Sequence, residues 1–445
     1  MRLRSTRNPE MRSSWRDAVL SGLAPDGGLF MPEFLPQLSA AQIQTLRGKP
    51  FSEVAAYLAG LFVGEEIDSA TISHICRDSW DFDAPLREVD PSTHILELFH
   101  GPTCAFKDFG ARFMARLFRH FWSTSSKPLT VLVATSGDTG SAVANAFLDT
   151  RSDPLIKVAI LFPRNKVSEV QRKQMTTLGH NITAFEVDGS FDDCQSLVKR
   201  ALQDPDIRKD RAYTSANSIN IARLLPQMFY YAFATLQLFP QTPPAFVVPS
   251  GNLGNITGAI LSHMCGFTIS HGIAACNANS TLPDFLSTGA YRPRASRETI
   301  SNAMDVGAPS NFFRINALMG ASVESSIISP DVSTMRLLSA YSISDDVTRE
   351  TMKLYHSKYR YVLDPHTAVG AAALEVFRRA HPEHKGPCII AGTAHPAKFA
   401  DTVEETIHTR PELPPQLAHV LGKPERSISI SGNYSELARR LKESL

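Results

Sequence analysis

From residue 94 onward the chain alternates short runs of apolar and β-branched residues with longer stretches in which apolar positions recur every three or four residues. That alternation predicts a parallel sheet with crossover helices, an α/β fold. Strands are expected at 94–99, 130–134, 157–162, 183–187, 245–248, 271–276 and 388–391. Helices are expected at 109–122, 141–148, 167–178, 191–202, 219–238 and 254–265. Residues 1–93 follow another pattern, with turn signals at Ala24-Pro25-Asp26-Gly27-Gly28 and Met31-Pro32 ahead of a helical segment near 52–62, and they read as an N-terminal module. A joint is expected in the Pro-containing stretch 241–244, where a surface loop is the plain alternative.

Three expected strands run into small-residue turns that enter a helix, where free backbone N–H groups and the helix dipole favour an anion. They are Thr135-Ser136-Gly137-Asp138-Thr139-Gly140-Ser141, Pro249-Ser250-Gly251-Asn252-Leu253-Gly254-Asn255 and Ala391-Gly392-Thr393-Ala394-His395-Pro396. Neither glycine loop has the spacing of a triphosphate or dinucleotide loop. Each alone is matched by an ordinary strand-to-helix turn, but two in one chain suggest two separate anionic groups to hold. A fourth segment, His100-Gly101-Pro102-Thr103-Cys104-Ala105-Phe106-Lys107-Asp108-Phe109, leaves a strand and enters an amphipathic helix with Lys107 near its start. The dipole disfavours a cation there, and Phe106 and Phe109 can desolvate it. Both effects lower the lysine's pKa toward nucleophilic use. The alternative is a surface lysine paired with Asp108.

Composition narrows the class. At 445 residues, two or three cooperating domains are expected, and 43% hydrophobic with 20% charged residues describes a chain folded throughout. Lys plus Arg is 45 against 44 Asp plus Glu, so no global field favours nucleic acid or an anionic membrane, and any anion must be held locally. The six cysteines are dispersed without a C-x-x-C pair, which fits a reducing compartment and no metal site. The arginines at 2, 4, 7, 12 and 16 superficially suggest a transit peptide, but no apolar signal core accompanies them. The longest apolar stretch, 224–239, is interrupted by Pro226 and Gln227 and is shorter than the roughly 20 residues a membrane span requires. A cytoplasmic protein is expected.

Taken in order, the motifs resemble those of the threonine synthases, in the longer form found in many bacteria and fungi. The resemblance runs through Ser5-Thr6-Arg7, Asp26-Gly27-Gly28-Leu29-Phe30, Glu97-Leu98-Phe99-His100-Gly101-Pro102-Thr103 and Lys107-Asp108-Phe109. It continues through Ala134 to Gly140, Phe162-Pro163-Arg164, Lys166-Val167-Ser168, Ser215-Ala216-Asn217-Ser218-Ile219-Asn220 and Ser250-Gly251-Asn252. Asn302-Ala303-Met304-Asp305-Val306 and Gly392-Thr393-Ala394-His395-Pro396-Ala397-Lys398-Phe399 complete it. Cys104, Leu253, Asn255, Asn279-Ser280 and Phe312-Phe313 depart from the residues more usual there.

The resemblance implies a fold-type-II pyridoxal-phosphate enzyme, tryptophan synthase β-like, with two parallel-sheet domains and the N-terminal module. It implies a module at 1–93, a large cofactor domain from 94–125 and 226–445, and a smaller α/β domain at 126–225. Lys107 would be the Schiff-base lysine beside Phe106, with Gly251, Asn252, Leu253, Gly254 and Asn255 cradling the cofactor phosphate and Thr393 bonding the ring nitrogen. Ser136, Gly137, Asp138 and Thr139 would receive the substrate carboxylate, and Lys166, Asn217, Ser218 and Arg223 its phosphate. The activity implied is conversion of O-phospho-L-homoserine and water to L-threonine and phosphate, by a monomer or homodimer. A phospho-lyase releasing 2-oxobutyrate, or a non-catalytic cofactor-binding protein, are the alternatives.

Overall fold

The structure, a computed structural model, describes residues 1–151, 154–209, 211–238, 242–320 and 337–444. The expected joint at 241–244 lies partly outside the described residues. The chain opens on a small antiparallel sheet of β1 (Leu3–Ser5), β2 (Arg12–Ser13) and β3 (Phe30–Pro32), with β1 in the middle. Helices Phe51–Val63 and Ser69–Ser79 follow and seat this module on the rest of the chain. Phe51 meets Trp80, Phe109 and Phe233 edge-on with ring centroids 5.1–5.4 Å apart. Such aromatic pairs contribute about 0.5–1.5 kcal/mol each beyond their burial.

The main body has two sheets, and the chain visits the first, the second, the first again and then the second. β4 (Leu86–Asp90) and β5 (Thr93–Glu97) begin the larger sheet; β6 (Leu129–Ala134), β7 (Ile156–Pro163), β8 (Ile182–Asp188) and β9 (Ala212–Ser215) build the smaller one. The chain then returns as β10 (Ala245–Pro249), β11 (His271–Cys276), β12 (Leu338–Ser342) and β13 (Cys388–Gly392), and ends with β14 (Ile428–Ser431). The larger sheet has the order β12-β11-β10-β13-β5-β4, parallel except for the antiparallel β4. The smaller has the order β14-β8-β7-β6-β9 and is parallel throughout.

The sheets cross the expected domain limits at two places. β4 lies before residue 93 yet pairs with β5, and β14 lies beyond 226 yet pairs with β8. Both are edge strands, added where chain remote from the sheet's centre can reach an open ladder.

Sheet order decides where chemistry can gather. β10, β13 and β5 are neighbours and parallel, so the loops leaving their C-terminal ends emerge together: 250–253 from β10, Thr393 from β13 and the lysine segment from β5. In open α/β sheets this edge is where ligands bind. Among the described residues no helix is long and apolar enough to cross a membrane, and all six cysteines are free and buried.

Candidate active site

The lysine segment is pinned against the third turn by backbone pairing. Phe106 donates its N–H to the Thr393 carbonyl at 2.9 Å, His395 to the Cys104 carbonyl at 3.0 Å, and Ala105 bridges Ala394 antiparallel. Cys104, a residue with a side chain, takes a left-handed φ of 54° to make this approach. Such a conformation costs about 1–3 kcal/mol and persists only where the surroundings impose it. The helix then starts at Lys107 itself, in Lys107–Trp122, two residues earlier than expected.

Lys107 is 12% exposed, and its Nζ lies 3.8 Å from Asp138 Oδ2 and 5.8 Å from the centre of the Phe106 ring. Burial brings its pKa down to about 8, with the Asp138 charge opposing and the Lys398 and Arg223 charges assisting. Asp108 is not its partner. That carboxylate accepts from Thr103 N–H at 2.8 Å and Thr103 Oγ1 at 2.6 Å, fully buried, and burial raises its pKa to about 6. The surface-lysine alternative therefore does not describe this residue.

β6 ends in Ser136-Gly137-Asp138-Thr139, opening helix Asp138–Phe147. Gly137 has φ +133°, and a Cβ there would sit 2.4 Å from Gln171 atoms, so the turn admits only glycine without displacing Gln171. The N–H groups of Ser136, Asp138 and Thr139 donate to no described residue, which suits a carboxylate at a helix start. The Asp138 side chain does something else. Its Oδ1 accepts from Lys398 Nζ and Gln171 Nε2, both at 2.9 Å. Burial acts to raise this carboxyl, but the charges of Lys398 and Lys107 outweigh it and hold it well below the usual carboxylate range.

The loop after β10 carries no ionised side chain. Gly251 lies against Met304, whose Cα a Cβ would meet at 2.6 Å. Leu253 has φ 62°, and helix Gly254–Met264 begins at the next residue. The backbone N–H groups of residues 251–256 donate to no described residue, a cradle suited to a phosphate on a helix N-terminus. Side chains brace the loop from behind. Asn252 Nδ2 donates to Ser218 Oγ at 2.7 Å, Asn311 Nδ2 donates to the Asn252 carbonyl at 2.9 Å, and Asn255 Oδ1 accepts from the Tyr230 and Tyr231 hydroxyls at 2.5 and 2.7 Å. Arg314, fully buried, donates to the carbonyls of Phe30, Ser218 and Ile219, tying the N-terminal module to the 218–219 segment that braces this loop. Thr393 is buried, paired through its carbonyl with Phe106 next to Lys107, and its hydroxyl bonds no described residue.

Of the residues expected to hold a substrate phosphate, Arg223 reaches the segment of Asn217 and Ser218 through the Ala216 carbonyl, while Lys166 stands apart at the surface. Asn217 is turned to β6, donating to the Ala134 carbonyl at 2.8 Å, so its amide holds the chain that feeds the 136–139 turn. Ser218 is engaged by Asn252 and Asn311. Lys166 stands at the surface, 48% exposed and 2.8 Å from Glu298. Arg223 is different: it is 3% exposed and donates to the Ala216 carbonyl at 2.6 Å, but among the described residues no carboxylate lies within ion-pair distance and Nε has no partner. Burial lowers its pKa to about 10. Lys398 also lines a cavity of about 510 Å³ whose wall includes Ser168, Glu298, Asn302 and Arg410, residues from both sheet regions. The sequence motif containing Lys398 was legible, but its contact with Asp138 was not.

Three family models match successive parts of the chain: threonine synthase N terminus over residues 2–80, pyridoxal-phosphate dependent enzyme over 94–392, and threonine synthase C-terminal over 367–440. The Escherichia coli threonine synthase is 38% identical over 99% of both chains. The chain belongs to the threonine synthase family. The crystal structure of threonine synthase from Escherichia coli superposes with a TM-score of 0.90 over all of both chains. A pyridoxal-phosphate-bound threonine synthase from Brucella melitensis, 34% identical, gives 0.90 over 100% of this chain and 99% of that one. The fold is that of the fold-type-II pyridoxal-phosphate enzymes, as expected, with the family's N-terminal module in place.

Proposed function

We propose that this chain converts O-phospho-L-homoserine and water to L-threonine and inorganic phosphate, with Lys107 as the covalent attachment point of pyridoxal phosphate. The observation that carries this reading is the largely enclosed Lys107, held at a helix start next to the Phe106–Thr393 backbone pair, with its pKa brought down to about 8. The cradle of free N–H groups at 251–256, closed to any side chain at Gly251, fits the cofactor's phosphate. Thr393 would meet the ring nitrogen through a neutral hydroxyl. When bound, pyridoxal phosphate supplies an electron sink that stabilises negative charge on the substrate's carbon chain.

The protein's residues then have separable tasks. The free N–H groups of Ser136, Asp138 and Thr139 orient the substrate carboxylate. Lys107 takes protons from Cα and Cβ, returns one at Cγ and, once water has added, returns one at Cα, which an amine near neutrality can do in both directions. The Cγ–O bond breaks, phosphate leaves with that electron pair, and water supplies the hydroxyl that bonds Cβ. Arg223 is the strongest candidate for the leaving phosphate, because its guanidinium is buried without a carboxylate and retains free donors. Asn217 and Ser218 serve through the loops they hold. Lys166 could reach such an anion only by leaving Glu298.

The balanced charge supports a small-molecule substrate over nucleic acid, and we read the protein as cytoplasmic and monomeric or homodimeric. Product analysis from O-phosphohomoserine tests the activity. Threonine and phosphate in equal amounts are expected; 2-oxobutyrate, or no product, overturns it.

A further inference from the structure

Two lysines share one buried aspartate at this site. Lys398 is fully buried, with Nζ 2.9 Å from Asp138 Oδ1 and 2.8 Å from the Thr103 carbonyl, while Lys107 Nζ is 3.8 Å from the other carboxylate oxygen. Gln171 completes the clamp from the smaller sheet's side. It caps its own helix by accepting from Ser168 N–H at 3.1 Å and donates to Asp138 Oδ1 at 2.9 Å. The aspartate is thus fixed toward Lys398 and only weakly engaged with Lys107.

We propose that Lys398 is a positioning residue: by taking up the charge of Asp138 it keeps that carboxylate from forming a tight ion pair with Lys107, leaving the Lys107 nitrogen free to give up its proton. The inference rests on the reading of Lys107 as the covalent lysine. A lone buried carboxylate beside Lys107 would favour the charged amine and block its use as a base or nucleophile. It would also repel an incoming substrate carboxylate at the adjacent N–H groups of residues 136–139. With Lys398 present the Asp138–Lys398 unit is neutral overall, and the same position becomes permissive for both.

The charged groups facing Lys107 are Asp138, Lys398 and Arg223; beyond them Asp108 lies near Lys398 and Arg223, and His366, bonded to Asp364, lies near Asp138. Of these, Lys398 alone touches the aspartate that touches Lys107, and its own charge acts on Lys107 in the same direction, so its removal both frees Asp138 and withdraws a nearby cation. The Thr103 carbonyl keeps a second donor, Gln174 Nε2 at 3.3 Å, which makes Lys398→Met a substitution that leaves no orphaned acceptor there.

The test is a pH titration of the near-visible absorbance of the full-length holoenzyme, which follows the proton on the Lys107 nitrogen without turnover. In Lys398→Met the midpoint is expected to rise by about one pH unit or more, and in Asp138→Asn to fall, because Lys398 and Arg223 then face Lys107 unopposed. Lys398→Arg should lie near wild type. An unchanged midpoint in Lys398→Met with cofactor still bound, or shifts of the same sign in Lys398→Met and Asp138→Asn, overturns the proposal. Failure of the underlying reading looks different: Lys107→Ala would keep the near-visible band and a borohydride-reducible linkage.

Discussion

The surroundings of Lys107 and the loop at 250–255 lie on one edge of one sheet but are built from opposite materials. At Lys107, two lysines lie within ion-pair distance of one buried aspartate, with Arg223 and Asp108 close behind. The loop at 250–255 carries no ionised side chain and is braced by amides and hydroxyls, while the nearby guanidinium of Arg314 is taken up by carbonyl and amide oxygens. The difference separates two tasks. A group that must gain and lose protons needs charges arranged to tune it, whereas a phosphate that only has to be held is served by fixed dipoles that do not titrate.

The hardest blow to the comparison is Lys107→Ala. Turnover should fall by roughly a thousandfold or more, since nucleophile and proton carrier are lost together. The variant should stay folded and lose its borohydride-reducible cofactor; threonine formation at the wild-type rate would remove the mechanism. Arg223→Met comes next. It should lower kcat/KM for O-phosphohomoserine by roughly 2–4 kcal/mol and weaken competitive inhibition by inorganic phosphate, with the cofactor band intact. Equal phosphate inhibition in both proteins would place Arg223 outside the substrate site.

The neutral side of the comparison is probed at Gly251. A valine there drives its Cβ toward Met304 Cα, 2.6 Å away, so the cradle must open. A loss of about 1–3 kcal/mol in stability and a fall in retained cofactor after gel filtration are expected. Full cofactor content would show that the phosphate is held elsewhere. Thr393→Val is gentler: a close match in volume that removes one hydroxyl should lower kcat about tenfold while preserving the covalent linkage. Unchanged kcat would assign the ring nitrogen to another group.

The seven strands read from the sequence are the seven interior strands of the two large sheets, β5, β6, β7, β8, β10, β11 and β13. The four it missed there, β4, β9, β12 and β14, are the four edges. Interior parallel strands are covered on both faces and read as continuous apolar runs, as in Leu129–Ala134; an edge such as Ile428–Ser431 alternates with serine and gives no such run. The site divides in the same way. Lys107, Gly251 and Thr393 were legible because turn chemistry and motif order mark them. Lys398, Gln171 and Arg314 were not, because each acts through partners brought near by folding: Lys398 and Asp138 meet from sequence positions on opposite sides of most of the chain. Lys166 shows the same limit, a cation in a good motif whose neighbour in the structure, Glu298, comes from a distant loop.

Asp108 offers the smallest and most specific test of how charge is used beside Lys107. It is buried and accepts two hydrogen bonds from Thr103, with no cation within ion-pair distance among the described residues, so burial raises its pKa to about 6 from the ordinary 3.8. A carboxyl whose pKa is raised on folding binds its proton more tightly in the folded state. Its contribution to stability is therefore fully present below about pH 4 and is lost as the pH rises through about 6. An asparagine in its place could keep both contacts, with its carbonyl accepting from Thr103 N–H and its amide donating to Thr103 Oγ1, while carrying no charge to desolvate. Asp108→Asn should then raise stability by about 1 kcal/mol at pH 8 and leave it nearly unchanged at pH 4. Thermal unfolding of both proteins at the two pH values measures the difference. A variant destabilised equally at both would show that the ionised carboxylate is needed for its contacts with Thr103, and the charge beside Lys107 would then be a structural requirement and not a tolerated cost.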